Sequence, residues 1–305
     1  MKYMISMAAA VVMMAAPAFA SEHGGGHGHA KAEGHAATSE SMDHEAVADS
    51  VLEFQRNKLK QNTKGKGFGP QSPRDIDAKA GNNKIIFNSA PAYTDMNLCN
   101  IHFHKNAEHK GGEFTIYAGN GDGHGNQSGY RYDTSGLSAA ELSSTGHAIC
   151  SGDHGSLSAG DTIEVHYVHS TADITPGPTL ASCLAKDVIN NPQLRVETQV
   201  YVLVNDKHAL DFGKLTKVGK ANGHYQALGI PANTGTAIQY EGSTTGPGYN
   251  EAGSPFQVTW NVRPQVAKVN IDTVGKWCKG NEFNEDHAHG VRNLVMNKDL
   301  LSVIK

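Results

Sequence analysis

Residues 97–104 read Asn-Leu-Cys-Asn-Ile-His-Phe-His, and the register of that run decides the fold. In an extended strand, side chains at i and i+2 share a face. Asn100, His102 and His104 therefore project together, while Cys99, Ile101 and Phe103 project the other way. One side is apolar and the other carries two imidazoles within reach of a single cation. This is the pattern of a sheet strand whose polar side lines a cavity.

A second run, Thr162-Ile-Glu-Val-His-Tyr-Val-His169, repeats the arrangement. Glu164, His166 and Val168 share a face, and His169, an odd number of positions from His166, faces away. If the two strands are neighbours, His102, His104 and His166 offer three neutral nitrogens and leave one tetrahedral position open, which marks a catalytic rather than a structural zinc. Three imidazoles without a thiolate suit one zinc ion, with cobalt, copper or cadmium as substitutes. Seventeen histidines make chance pairs common, and a lone His-x-His on a strand is more often surface decoration. The third histidine, with a carboxylate two positions before it, is what separates this pattern from chance. Asn100 and Glu164 are placed to accept the outer N–H of a ligand ring and fix its tautomer.

Outward from these runs, short alternating stretches are separated by Gly, Asn, Asp, Ser and Pro clusters, which predicts a β-rich domain with few short helices around a mainly antiparallel or mixed central sheet. Strands are predicted at 97–104, 113–117, 162–169, 195–204, 237–240 and 257–262. The stretch Leu294–Lys305 reads equally as strand or helix, and no internal repeat is visible.

The N-terminus has a different character. Lys2, an apolar run from Met4 to Ala16 and the small-x-small Ala18-Phe19-Ala20 predict a signal peptide over 1–20 and an exported protein, periplasmic or secreted, beginning near Ser21. Residues 21–65, with His23, His27, His29, His35 and His44 among glycines, lack the apolar surface to offset ordering and are predicted flexible. A short helix at Ala46–Leu59 interrupts them, with Val47, Val51, Leu52 and Leu59 on one side. The folded domain is expected over 66–305. No later segment has the roughly 20 apolar residues of a membrane span. Cys99, Cys150, Cys183 and Cys278 predict two disulfides in an oxidising compartment, with three connectivities open. A net charge of −4 gives no basic footprint for nucleic acid or an anionic membrane, and nothing in the sequence fixes an oligomeric state.

The segments Gln71–Asp77, His102-Phe103-His104, Ala107-Glu108-His109, Glu164–His169, Tyr240–Pro247 and Val258-Thr259-Trp260 occur in the order of the signature stretches of alpha-type carbonic anhydrases. The compact Cys-Asn-Ile-His-Phe-His-Lys-Asn-Ala-Glu-His-Lys block resembles the delta class and its bacterial relatives more closely. The resemblance spans roughly Lys66 to the C-terminus. It implies an alpha-carbonic-anhydrase-like single domain that reversibly hydrates carbon dioxide to bicarbonate and a proton, using hydroxide on zinc held by His102, His104 and His166. It further implies that Glu108 accepts a hydrogen bond from Thr245, which orients the hydroxide, with Thr244 as the alternative. Val168 and Trp260 fall where the family lines its carbon dioxide pocket.

Departures from the family pattern are also plain. Few residues separate Gln71 from His102, and the histidine that usually relays protons from that stretch has no counterpart. His124, His147, His154 and His224 stay open for that role. Gly-Pro-Gly-Tyr-Asn-Glu follows Thr245 in place of a proline pair. The reading from a different class is an exported zinc-binding or buffering protein without catalysis, motivated by the His-Gly tail.

Overall fold

A computed structural model describes residues 45–184 and 192–305. The expected signal peptide and the five tail histidines lie outside the described residues. The fold is organised by a five-stranded mixed sheet of β1 (Asn97–Lys105), β2 (Thr162–Ser170), β3 (Leu194–Val204), β4 (Ile238–Ser243) and β5 (Gln257–Asn270). Their spatial order is β1-β2-β3-β5-β4. All neighbours are antiparallel except β3 and β5, which run parallel. The Phe114–Tyr117 stretch pairs with Tyr130–Tyr132 in a separate two-stranded ribbon. β5 outruns its expected end at Val262, continuing to Asn270 across a register break between Val262 and Val266.

β2 and β3 are buried along their whole length, so both faces of the sheet centre are covered. One face packs Ile101, Phe103, Ile163, Val165, Tyr167, Tyr201 and Leu203 under α2 (Ile271–Trp277) and Phe283. Phe103 alone, fully buried between Phe212 and Trp277, contributes about 2–3 kcal/mol. The other face packs Val168, Val196, Val200, Val258, Trp260 and Val262, and beside these apolar residues lies the histidine patch.

In β1 strand parity fails at one position. The β1–β2 register shifts between Leu98 and Asn100, a bulge that leaves Cys99 as the extra residue. Cys99 therefore does not share a face with Ile101 and Phe103 as strict alternation requires. It packs with Val168 and Cys183 on the opposite side, and Leu98 takes its place beside Ile101. The disulfides are Cys99–Cys183 and Cys150–Cys278.

α1 (Asp49–Thr63) starts and ends later than expected and turns a different face inward. Its buried stripe is Leu52, Gln55, Leu59 and Thr63, while Val51 is exposed. Two members of that stripe are polar, so hydrophobicity alone mislocates it. Gln55 Nε2 donates to the Gly123 carbonyl at 2.7 Å, and Thr63 Oγ1 to the Leu59 carbonyl at 2.7 Å. Leu59 packs on Val295, Leu300 and Leu301, so the ordered chain begins well before Lys66 and the segment expected to be flexible contains a docked helix. The C-terminal stretch is neither strand nor long helix. It holds one short turn, Lys298–Leu300, buries Val295, Leu300, Leu301 and Ile304, and is held where Gln71 N–H donates to the Leu300 carbonyl and Ile304 N–H to that of Lys79. Among the described residues no helix is long and apolar enough to cross a membrane.

Candidate metal centre

His102 and His166 are direct cross-strand partners of β1 and β2, which brings their rings edge-on with centroids 5.0 Å apart. His104 lies 4.8 Å from His166 by the same measure. Beyond Lys105, Asn106 takes the left-handed conformation (φ 67°), which asparagine tolerates better than most residues. It is pinned there by Asn106 Nδ2 donating to the Ser128 carbonyl at 2.7 Å. That turn returns the chain so that Glu108 Oε1 lies 3.8 Å from His104 Nδ1.

The outer nitrogen of each ring faces a group that accepts. His102 Nδ1 donates to Asn100 Oδ1 at 2.7 Å, His104 Nδ1 to the Gly290 carbonyl at 2.8 Å, and His166 Nε2 to Glu164 Oε1 at 2.6 Å. A carbonyl or carboxylate cannot donate, so the ring protons point outward and the lone pairs inward. The inner atoms converge: His102 Nε2 and His166 Nδ1 face each other at 3.1 Å, His104 Nε2 is buried with no partner, and one nitrogen from each ring falls within 4.8 Å of the others. Two neutral acceptors in such contact, beside a third that is unsatisfied, fit a cation between them. Burial pushes all three imidazoles below their ordinary value, His104 to about 4 and His102 well below it, so each keeps a free lone pair at neutral pH.

Around the trio sit buried polar groups with defined tasks. Glu164 also accepts from His109 Nδ1 at 2.7 Å and from the His109 backbone N–H at 3.1 Å. Burial alone would raise the Glu164 carboxyl, but these bonds and that from His166 outweigh it and hold it well below the usual range. His109 Nε2 in turn accepts from the Tyr240 hydroxyl at 2.7 Å. Glu108 Oε1 accepts the Arg292 backbone N–H at 2.8 Å, while its Oε2 is buried and unpartnered. Burial raises the Glu108 carboxyl.

Thr245 is half-buried and makes no hydrogen bond to Glu108 among the described residues. The alternative, Thr244, has its hydroxyl engaged with Ser254 Oγ at 2.7 Å. The loop carrying both is clamped by Ser72, whose Oγ donates to the Ser243 carbonyl and accepts the Ser243 N–H, each at 2.8 Å. Val168 and Trp260 share one apolar cluster, with the indole 5.0 Å from His166 and anchored by Nε1 donating to the Ser243 carbonyl at 3.0 Å. His169 faces away, donating from Nδ1 to the Tyr167 carbonyl at 3.0 Å and packing on Tyr93.

Sequence reasoning missed the 285–292 segment. It supplies Gly290 to His104, Arg292 to Glu108, and His289, whose ring stands 5.7 Å from His102 and 5.9 Å from His104 and bonds Glu285 Oε2 at 2.5 Å. A second His-x-His, His287-Ala288-His289, was the available signal. The two backbone groups left none.

A family model described as "Delta carbonic anhydrase" matches residues 93–273. Solved structures with detectable likeness include the alpha-carbonic anhydrase of Thermovibrio ammonificans in complex with the inhibitor sulfanilamide (18% identity, 76% of this chain and 87% of that chain, TM-score 0.29). Others are a hyperthermostable carbonic anhydrase from an active hydrothermal vent chimney (15%, 77% and 89%, 0.27) and the Photobacterium profundum alpha-carbonic anhydrase (15%, 80% and 94%, 0.27). At these scores nothing further rests on the structural likeness. A comparison with curated proteins gave no match. Because the matched region takes in more than half of the sequence, the chain belongs to the delta carbonic anhydrase family.

Proposed function

We propose that this chain is an exported zinc enzyme that reversibly hydrates carbon dioxide to bicarbonate and a proton, with His102, His104 and His166 as ligands. The observation that carries the reading is the convergence of three inward lone pairs whose rings are locked from outside by Asn100, Gly290 and Glu164. Zinc in such a site supplies the Lewis acidity that ionises water near neutral pH.

The chain's own residues do the rest. Glu108 Oε2 is free to accept a hydrogen bond from the Thr245 hydroxyl, and a threonine whose single O–H is committed to Glu108 can only accept from any further group. In that arrangement Thr245 would accept from the O–H of a zinc-held nucleophile and so orient it toward the substrate. Val168 and Trp260 form an apolar wall suited to carbon dioxide, which has no dipole to solvate. Glu164 keeps its charge and so strengthens the His166 nitrogen as a donor.

The test is carbon dioxide hydration followed with a pH indicator on purified protein, with and without chelator. Activity that is lost with zinc and restored by it is the expected result. A folded, fully zinc-loaded protein that hydrates no carbon dioxide would leave the buffering reading in its place.

A further inference from the structure

The tautomer of His102 depends on which way the Asn100 amide points. A half-turn of that amide would present its NH2 to His102 Nδ1, drive the ring proton to the inner nitrogen and block the lone pair facing His166. Asn100 is almost wholly buried, so water does not arbitrate. The arbiter is the Gly177 carbonyl, which accepts from Asn100 Nδ2 at 3.1 Å. After a flip it would face Asn100 Oδ1, acceptor against acceptor.

Gly177 belongs to the connection leaving β2, and its position is fastened to β1 twice. Its N–H donates to the Cys99 carbonyl at 3.0 Å. Six residues on, Cys183 is joined to Cys99 by the disulfide, and its carbonyl accepts from Ser170 Oγ at 2.8 Å. Between them Ser182 Oγ donates to the Pro178 carbonyl at 2.6 Å, which stiffens the segment. The β1 bulge is what makes the link possible, since it turns Cys99 toward Val168 and Cys183.

We propose that residues 177–183, tied to β1 by the Cys99–Cys183 disulfide, act as a strap that fixes the Asn100 amide and thereby keeps His102 in its metal-binding tautomer. The inference rests on the reading of His102 as a ligand. The other disulfide, Cys150–Cys278, joins groups on the opposite core face and serves as the internal control.

The experiment compares zinc affinity, by competition with a fluorescent chelator, in the wild type, in Cys99→Ser/Cys183→Ser and in Cys150→Ser/Cys278→Ser. The first pair should bind zinc about 10- to 100-fold more weakly, the range for losing an outer partner of a ligand, and the second should lie within about threefold of wild type. If the serine pair does not fold, Cys99→Ala/Cys183→Val keeps the site packed and is read the same way. In an Asn100→Ala background, removing the Cys99–Cys183 link should cost nothing further. Nitrogen-15 NMR of the histidines in zinc-free protein should report His102 protonated at Nδ1 in the wild type and a tautomer mixture in the strap variant. Unchanged affinity, an unchanged tautomer, or a loss that multiplies with that of Asn100→Ala would overturn the proposal. A wild-type protein that binds no zinc would instead remove the ligand reading on which it stands.

Discussion

His102 Nε2 and His166 Nδ1 approach to 3.1 Å although each ring has its one proton on the far side. Such a contact is repulsive unless a cation occupies the space between, and His104 Nε2 completes the set. His104→Ala or His166→Ala should therefore abolish stoichiometric zinc, read by elemental analysis after dialysis against a weak chelator. Stoichiometric metal in the His166 variant would refute the assignment.

Glu108 is held at one oxygen by the Arg292 N–H and has the other free. If Thr245 is the group that oxygen receives, Thr245→Ala should retain full zinc occupancy while hydration slows by roughly 10²-fold, the scale for removing one oriented hydrogen-bonding group at a reacting centre. Thr244→Ala should instead act on stability, because its hydroxyl is committed to Ser254. An unaffected rate in Thr245→Ala would exchange the two roles.

His169 allows a test of pH dependence outside the metal site. Burial pushes its imidazole down to about 3, with Arg195 adding to that and the Tyr167 carbonyl opposing it. The folded group thus titrates below the ordinary value of about 6.5, so in the window between the two the unfolded chain binds a proton that the folded chain refuses. Stability is intact above about pH 6.5 and falls as pH drops, by up to about 1.4 kcal/mol per unit, until the folded group titrates. In zinc-free protein, His169→Gln should flatten the decline in urea midpoint between pH 7.5 and 5 relative to wild type. Equal slopes would mean that His169 is not buried neutral. The variant should still bind zinc.

The central strands and the convergence of His102, His104 and His166 on one face were legible because a strand's two-residue period is strict and the centre of the sheet is buried on both faces. A slip of one residue would place His102 and His166 in the apolar layer with Phe103 and Val165. Legibility ended where alternation did. A bulge moved Cys99 to the other side, and no pattern of residue types announces one. The partners of His104 and Glu108 are a carbonyl at Gly290 and an N–H at Arg292, groups that every residue carries, so their placement is a property of the folded loop alone. The inner face of α1 was hidden for a related reason: Gln55 and Thr63 are buried because their polar atoms find partners, which the sequence does not disclose.

That helix leads to a prediction about the N-terminus. Removing residues 21–44 should leave the melting temperature and activity near wild type. Removing residues 21–65 takes away Leu52 and Leu59 and uncovers Val295, Leu300 and Leu301. Two leucines at about 1.5–3 kcal/mol each correspond to a fall on the order of 10 °C for a domain of this size. The effect should also reach the site. Gln55 Oε1 accepts from Asn293 Nδ2 at 2.6 Å, and Asn293 adjoins Arg292, whose N–H holds Glu108. Without the helix the 291–295 stretch loses an anchor, Glu108 loses its fixed orientation, and hydration should slow while zinc stays bound. Calorimetry with rate and metal measurements on the two truncations separates the outcomes. A 21–65 deletion as stable and active as the full chain would return α1 to the status of a linker.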